Sequence, residues 1–377
     1  MTATDPLKAH EQLGGKIRVS GRAAVTPDSL QVFYTPGVAA VSRRLSTHPD
    51  EAPRYVAARR AVAVVSDGSA VLGLGNVGPA AALPVMEGKA MLFADLAGVD
   101  AWPIVLSTQD PDEIVAAVKA IAPGFGGINL EDIAAPQCFD IERRLQAELN
   151  IPVVHDDQHA TAIVVLAGLI NALKIVDKSL ETVRVVINGA GAAGSAIARL
   201  LRAAGAVNVM VLDSQGSLSL DRHDLKGEKR AIAELTGLSQ ALDLTAALQA
   251  ADVLIGVSVG GAFTPAMVQS MAARPIVFAL ANPNPEILPE LALTAGAAVV
   301  ASGRSDFANQ INNVLVFPGL FKGLIEAGKL QLTNDDKVRV AKALADLVKA
   351  PRAEEIIPSV FDKRVVDAVA GAVSGVQ

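Results

Sequence analysis

Two acidic pairs, Glu131-Asp132 and Asp156-Asp157, each follow a short apolar run, with a helix-patterned stretch between them. Gly127-Ile128-Asn129-Leu130 leads into the first pair, and Ile151-Pro152-Val153-Val154, then His155, into the second. From Cys138 to Leu149, Phe139, Ile141, Leu145 and Leu149 recur at helical spacing with charges between them. A crossover helix of that length joins parallel strands that lie side by side or nearly so. Both pairs are then expected at the carboxyl edge of one sheet, where open α/β sheets place their ligands. Neighbouring strands stand roughly 5 Å apart, so as many as four carboxylates can converge. Such a cluster requires protons or a cation to offset its repulsion, and oxygen-only ligands favour a hard ion, Mg²⁺ or Mn²⁺. The plain alternative is that these acids cap helices and solvate loops. His155 and His159 have the helix-face spacing of a zinc pair, although a histidine beside a helix start more often serves structure.

The second device is a glycine loop. Residues 183–187 are a β-branched strand, followed by Gly189-Ala190-Gly191-Ala192-Ala193-Gly194 and a helix through Leu201. Residues 207–212 form the next strand, which ends in Asp213, two dozen positions after Gly189. G-x-G-x-x-G between strand and helix permits a tight turn and brings a pyrophosphate close to the helix N-terminus. Asp213 would accept hydrogen bonds from the adenosine ribose hydroxyls and repel a 2′-phosphate, which favours NAD over NADP. Residues 214–216 supply no clear phosphate-binding cation. Further strands over 252–257, 275–280 and 298–301 end in Ser258, Asn282 and Gly303, small or amide-bearing residues at the ligand edge, and Asn312-Asn313 follow.

Two single residues stand out. Lys89 lies in an apolar, glycine-flanked segment where desolvation would lower its pKa, although a lone lysine is usually solvated surface. Tyr34, one of only two tyrosines, opens a Thr35-Pro36-Gly37 turn; its plain reading is a half-buried ring with a bonded hydroxyl.

The elements that must position these residues are those of an α/β protein. The 377 residues are 51% hydrophobic, which suits two domains with real cores. A net charge of -6 without a basic cluster argues against nucleic-acid binding. Cys138 is the only cysteine, so no internal disulfide can form and a reducing compartment is expected. The first fifteen residues lack a signal-peptide core, and the longest apolar run, 160–170, is too short for a bilayer; a soluble, cytoplasmic protein without a membrane partner is expected. Residues 1–30 carry breakers and suit an arm at a subunit contact. Residues 62–74 predict a β-hairpin about Asp67-Gly68. A small-residue helix over 80–86 and a strand over 90–93 follow it. Helices are predicted over 111–121, 158–173, 335–349 and 363–373. The expected fold is an N-terminal α/β substrate and metal domain (1–158), a Rossmann-type NAD(P)-binding domain (159–316), and a helical C-terminus (317–377) packing back on the core.

Taken in order, Tyr34-Thr35-Pro36-Gly37-Val38, Leu72-Gly73-Leu74-Gly75-Asn76, Glu87-Gly88-Lys89-Ala90, Asn129-Leu130-Glu131-Asp132 and His155-Asp156-Asp157-Gln158-His159 resemble malic enzyme of the short bacterial type. The glycine loop, Ala279-Leu280-Ala281-Asn282-Pro283, and Asn312-Asn313 ahead of Phe317-Pro318-Gly319 extend the resemblance over residues 33–323. It implies metal-dependent oxidative decarboxylation of L-malate to pyruvate. In that reading Glu131, Asp132 and Asp157 ligate Mg²⁺ or Mn²⁺, and Asp156 stands behind them. Neutral Lys89 is the base for the C2 hydroxyl, and Tyr34 the general acid. Asn282, Asn312 and Asn313 lie at the substrate, Asn282 also at the nicotinamide. The family forms dimers whose sites draw on both chains, so a homodimer is expected.

Three departures accompany the resemblance. Ala70 stands where larger relatives carry a malate-gripping arginine, and Ala160 replaces a glycine. The phosphotransacetylase-like extension of some relatives is not expected. Two other activities fit the same parts: a 2-hydroxyacid dehydrogenase or malolactic-type enzyme without net oxidative decarboxylation, and a non-catalytic NAD-binding regulator.

Overall fold

Six consecutive small or β-branched residues, Ala61–Ser66, form β1, which is buried along its whole length. A strand buried on both faces belongs inside a parallel sheet. In the computed structural model, which describes residues 5–375, β1 lies between β2 (Asp100–Val105) and β3 (Gly127–Leu130), with β4 (Val153–His155) beyond β3. All three pairings are parallel, and Leu130 is in register with His155. Glu131 and Asp156 therefore leave neighbouring strands at one edge, as the crossover pattern predicts.

The β-hairpin expected over 62–74 does not form. Both edges of β1 are taken by β2 and β3, so the chain after it has no strand to pair with. It closes instead in a loop where Asp67 accepts from the Ser69 backbone N–H at 2.9 Å and the Ser69 hydroxyl at 2.6 Å. The separate helix and strand expected over 80–93 are one helix, Pro79–Ala97, in which Ala82, Met86, Lys89, Ala90 and Phe93 are buried. Their spacing of three to four residues is that of a single helical face. Lys89 is thus held by a helix packed on the sheet.

The second sheet runs β10-β9-β8-β5-β6-β7, formed by β5 (Arg184–Asn188), β6 (Asn208–Asp213), β7 (Gly216–Ser217), β8 (Val253–Gly256), β9 (Ile276–Ala279) and β10 (Val299–Ser302). Only β7 pairs antiparallel. The strand order reverses at β5, with β6 on one side and β8 on the other, which is the topological switch point where such sheets bind ligands. Helix Ala192–Ala203 starts directly after β5 and its glycine loop.

Helix Asp156–Val176 joins the two sheets. At 21 residues it is long and apolar enough to cross a bilayer, contrary to the shorter run expected, but its apolar window is 72% buried inside the protein. It is a core helix; the C-terminal helix Asn334–Ala345 packs over it, and Arg364–Ser374 packs on Asn334–Ala345 and on Phe317–Glu326. Asn171, fully buried on it, donates to the carbonyls of Ala345 at 2.9 Å and Ile356 at 3.0 Å. Asn171→Ala takes the side-chain donor from the Ile356 carbonyl and leaves Ala345 with only the Val348 N–H. It should lower unfolding stability by about 3 kcal/mol, read as a reduced urea midpoint at unchanged slope.

Candidate active site

Backbone geometry brings the acidic pairs together. The Glu131 N–H donates to the Val65 carbonyl at 2.8 Å, which extends the β1–β3 ladder by one residue. Asp132 adopts φ 53°; its N–H donates to Asp157 Oδ2 at 3.0 Å and its carbonyl accepts from Ala70 N–H at 2.9 Å. Asp156 and Asp157 open their helix, where exposed N–H groups and the helix dipole favour negative charge. One oxygen each from Glu131, Asp156 and Asp157 lie within 4.8 Å of one another. This grouping includes Asp156, expected to stand behind the ligands, while Asp132 lies beside it, tied to Asp157 through its backbone.

Lys89 reaches into the cluster. Its Nζ lies 2.5 Å from Glu131 Oε1 and 2.6 Å from Asp156 Oδ2, and 4.3 Å from the Phe317 ring centre. Burial works to lower the lysine pKa, but Asp156, Glu131 and Asp157 outweigh it, so the net shift is upward. In the metal-free protein the carboxylates around Lys89, which come from distant parts of the chain, favour its ammonium form and reverse the lowering expected from its apolar flanks. Burial drives the Glu131 carboxyl well above its ordinary range, with Asp156, Asp157 and Asp132 adding to the rise against the opposing pull of Lys89. Burial likewise raises Asp156. Asn129 Nδ2 donates to Glu131 Oε2 at 2.8 Å, and Asn313 Nδ2 donates to Asp156 Oδ2. Asp156 Oδ1 is buried with no protein partner. Surplus buried carboxylates, one oxygen of them unbonded, suit a hard divalent cation.

The histidines do not form a zinc pair. His159 Nε2 lies 2.9 Å from Glu142 Oε1, and His155 is fully buried without a hydrogen bond to either ring nitrogen. Glu142, which the sequence did not single out, also accepts from His155 N–H at 2.8 Å and Gln158 Nε2 at 3.1 Å. It braces the start of the helix that carries Asp156 and Asp157.

The glycine loop is built for close approach. A Cβ on Gly189, at φ +126°, would meet the Val257 carbonyl oxygen at 2.4 Å, and one on Gly194 would meet the Gly189 oxygen at 1.8 Å. A Cβ on Gly191 would meet nothing within 4 Å, which leaves its backbone open to a pyrophosphate. Gly189, Ala190 and Gly191 line a cavity of about 690 Å³ with Asp213, Lys229 and Ser258. Ala193 and Ser258 also line a larger cleft of about 1270 Å³ with Lys89, Glu131, Asp132, Asp157, Asn282, Asn312 and Asn313. The shared Ser258 marks where a dinucleotide would pass from one to the other.

Other expected residues take mixed places. Asn312 lines the cleft, but its Oδ1 accepts from the Val314 N–H at 3.0 Å, so it serves the backbone turn. Tyr34 is 63% exposed and does not line the cleft of its own chain. Glu286, missed in the sequence, is fully buried and accepts from the N–H groups of Ser258 at 2.9 Å and Ala281 at 3.0 Å. It holds the Ser258 and Asn282 loops at one level; only its place behind a Pro283-Asn284-Pro285 turn could have hinted at this. Residues 214–216 bring no cation to Asp213, but Arg222 and Lys229 do: Arg222 Nη1 lies 2.8 Å and Lys229 Nζ 2.6 Å from its carboxylate.

A lysine and carboxylate cluster facing a glycine-loop Rossmann sheet across one cleft defines a two-domain, dinucleotide-dependent oxidoreductase. The comparisons narrow this class. The family model for the malic enzyme N-terminal domain matches residues 22–146, and that for the malic enzyme NAD binding domain matches residues 158–376. The chain is 50% identical to the bifunctional malic/malolactic enzyme of Bacillus subtilis, covering 98% of this chain and 92% of that one. It is 52% identical to the NAD-dependent malic enzyme of Geobacillus stearothermophilus, covering 96% and 76%. The crystal structure of NAD-dependent malic enzyme from Thermotoga maritima superposes with a TM-score of 0.95 at 47% identity, covering 99% of both chains. Relatives at 42% identity include NADP-dependent malic enzymes. The chain belongs to the malic enzyme family.

The charge balance of the cluster can be tested without turnover. Asp157→Asn removes one of several repelling carboxylates and should raise the melting temperature of the metal-free protein. Wild type at a hundredfold excess of Mn²⁺ over its Kd should gain about 2.7 kcal/mol. The variant should gain far less, which thermal scans with and without Mn²⁺ will show.

Proposed function

We propose that the protein catalyses oxidative decarboxylation of L-malate to pyruvate and CO₂ with reduction of NAD, in preference to NADP, and with Mg²⁺ or Mn²⁺. The observation that carries this reading is the Lys89 ammonium wedged between Glu131 and Asp156, in a cleft shared with the Rossmann loops.

In this reading Asp156, whose Oδ2 is engaged by Lys89 and Asn313, orients the lysine. Glu131, Asp157 and Asp132, which the Asp157 contact draws alongside, are the proposed metal ligands. When bound, the divalent cation polarises the substrate C2 oxygen and carboxylate and offsets the field of the acids around Lys89. The nicotinamide supplies the hydride acceptor. With the acids so offset, Lys89 can release its proton to solvent and, as a neutral amine, take that of the C2 hydroxyl as hydride passes from C2 to the nicotinamide. The side-chain amides of Asn282 and Asn313 line the same cleft and are placed to hold the substrate carboxylates, the task Ala70 cannot perform. Once the C3 carboxylate has left as CO₂, the Tyr34 hydroxyl protonates C3, pyruvate departs, and the proton that Lys89 took from the C2 hydroxyl returns to the Tyr34 oxygen.

Tyr34 can do this only if it reaches a cleft, and it is exposed on its own chain. The helices Pro6–Leu13, Pro27–Phe33, Val38–Thr47 and Ala52–Tyr55 have no buried residue, and Leu7, Leu13, Phe33 and Tyr34 are each more than 60% exposed. Such a face suits a second copy of the chain. In this reading the protein is a homodimer in which Tyr34 of one copy serves the Lys89 site of the other.

Initial rates with L-malate, Mn²⁺ and either dinucleotide should give pyruvate and reduced cofactor one to one, abolished by EDTA. Lactate without net reduction, or oxaloacetate as the end product, would overturn the assignment. Lys89→Ala and Tyr34→Phe should each lose about a hundredfold or more in kcat. Mixing the two inactive variants should restore partial activity, because one site of each mixed dimer then holds both residues intact. No recovery on proven mixing would place Tyr34 and Lys89 in the same chain's site.

A further inference from the structure

Asp157 is the least anchored carboxylate of the cluster. Glu131 is held by Lys89 and Asn129, and Asp156 by Lys89 and Asn313. Asp157 has no lysine or arginine partner among the described residues; its Oδ2 accepts from the Asp132 N–H at 3.0 Å, and its side chain is 32% exposed. The carboxylate is therefore placed chiefly by the backbone beneath it. That backbone is the first turn of helix Asp156–Val176, whose N-cap residue, His155, makes no capping hydrogen bond from its side chain. Helix ends fray, and a frayed first turn would carry Asp157 away from Glu131.

The turn is fixed from outside, by Glu142 on the neighbouring helix Gln137–Glu148. Its buried carboxylate accepts from the His155 N–H at 2.8 Å and from Gln158 Nε2 at 3.1 Å. His159 Nε2 lies 2.9 Å from its Oε1 and 3.1 Å from its Oε2. One grip thus falls just before the acidic pair and two just after it. Gln146, one turn further along the same helix, donates to the Val153 carbonyl at 2.9 Å, which holds β4 against the helix as well. Burial works to raise the Glu142 carboxyl, but His159 and His155 outweigh it, and the net direction is downward. An ionised carboxylate only accepts, so all three partners must turn a donor towards it. Glu142 does not line the cleft; whatever it does for an ion there, it does through the helix start.

We propose that Glu142 is a positioning residue of the divalent-metal site, holding residues 155–159 so that Asp157 can share a cation with Glu131 and Asp132. This deepens the metal part of the proposed function and rests on it. A group that holds a ligand in place without touching the ion typically changes metal affinity by about tenfold or more when it is removed.

The test is Mn²⁺ binding to wild type, Glu142→Gln, Glu142→Leu and Asn171→Ala, read from the EPR signal of free Mn²⁺, with ADP-ribose binding measured by calorimetry on the same preparations. Glu142→Leu should bind Mn²⁺ about tenfold or more weakly and keep its affinity for ADP-ribose. Glu142→Gln retains the shape of the side chain and an oxygen for the His155 N–H, so its Mn²⁺ affinity should fall between those of wild type and the Leu variant. Asn171→Ala loosens the middle of the same helix, away from the carboxylates, and should bind Mn²⁺ as wild type does. Should the Leu variant not fold, the Gln variant decides alone. Wild-type Mn²⁺ affinity in the Glu142 variants would overturn the proposal. So would an equal loss in Asn171→Ala, or a matching loss of ADP-ribose affinity, since Glu142 would then support the fold in general. A wild type that binds no Mn²⁺ would overturn the metal reading itself.

Discussion

A single buried ammonium holds the catalytic half of this molecule in place. Lys89 touches Glu131 at the end of β3 and Asp156 at the start of the long core helix, and Asp156 in turn receives Asn313 from the segment after β10. Four parts of the chain thus meet on one charge. Buried ion clusters of this kind contribute little net stability, since desolvation consumes most of the Coulombic gain. What this one provides is position. Each partner that strays leaves an uncompensated charge in a dry site, so each is confined to one geometry.

The long helix Asp156–Val176 converts that local constraint into a relation between sheets. Its first two residues are the second acidic pair, and its body supplies the largest share of the apolar core that both sheets use. Glu142 braces its N-terminus through Gln158 and His159, and Asn171 anchors the C-terminal helices to its middle. On the far side, buried Glu286 ties the Ser258 and Asn282 loops to each other. Gly73, from the first half, packs so closely on the Asn282 carbonyl that a Cβ there would lie 1.7 Å away. The cleft is therefore set by direct contact between the halves, and the carboxylates and the glycine loop keep one spacing.

Much of this was legible in the residues. The β3–helix–β4 crossover, the edge at which its acids emerge, the glycine loop and most Rossmann strands follow from period and punctuation, which depend on near neighbours. Two of the three failures share a cause. The Asp67-Gly68 turn looks like a hairpin until β1 is seen to be paired on both edges. Residues 90–93 look like a strand until the buried face from Ala82 to Phe93 is seen whole. Lys89 looks like a lysine of lowered pKa until three carboxylates from residues 131, 156 and 157 surround it. In the first and third cases tertiary neighbours far along the chain overrode a correct local preference; in the second, a helical face longer than the apolar run did. Glu142 and Glu286 were invisible for the same reason, being ordinary glutamates whose partners lie elsewhere.

Asp213 shows how such long-range neighbours alter chemistry as well as shape. At the end of β6 it has the type and position of a ribose-binding acid that excludes a 2′-phosphate, and nothing in residues 214–216 contradicts that. The antiparallel turn into β7 and the following helix bring Arg222 and Lys229 back onto it, and with them its carboxyl is held down at a pKa of about 2 although burial opposes ionisation. Its negative charge is present but already answered, and a phosphate approaching the ribose meets the lysine as well as the acid. A selectivity rule read from one residue is incomplete when the fold supplies that residue's counter-ion. The same holds at Lys89, where the fold supplies the acids. In both places the functional state of a side chain is set by whichever opposite charge the topology delivers to it.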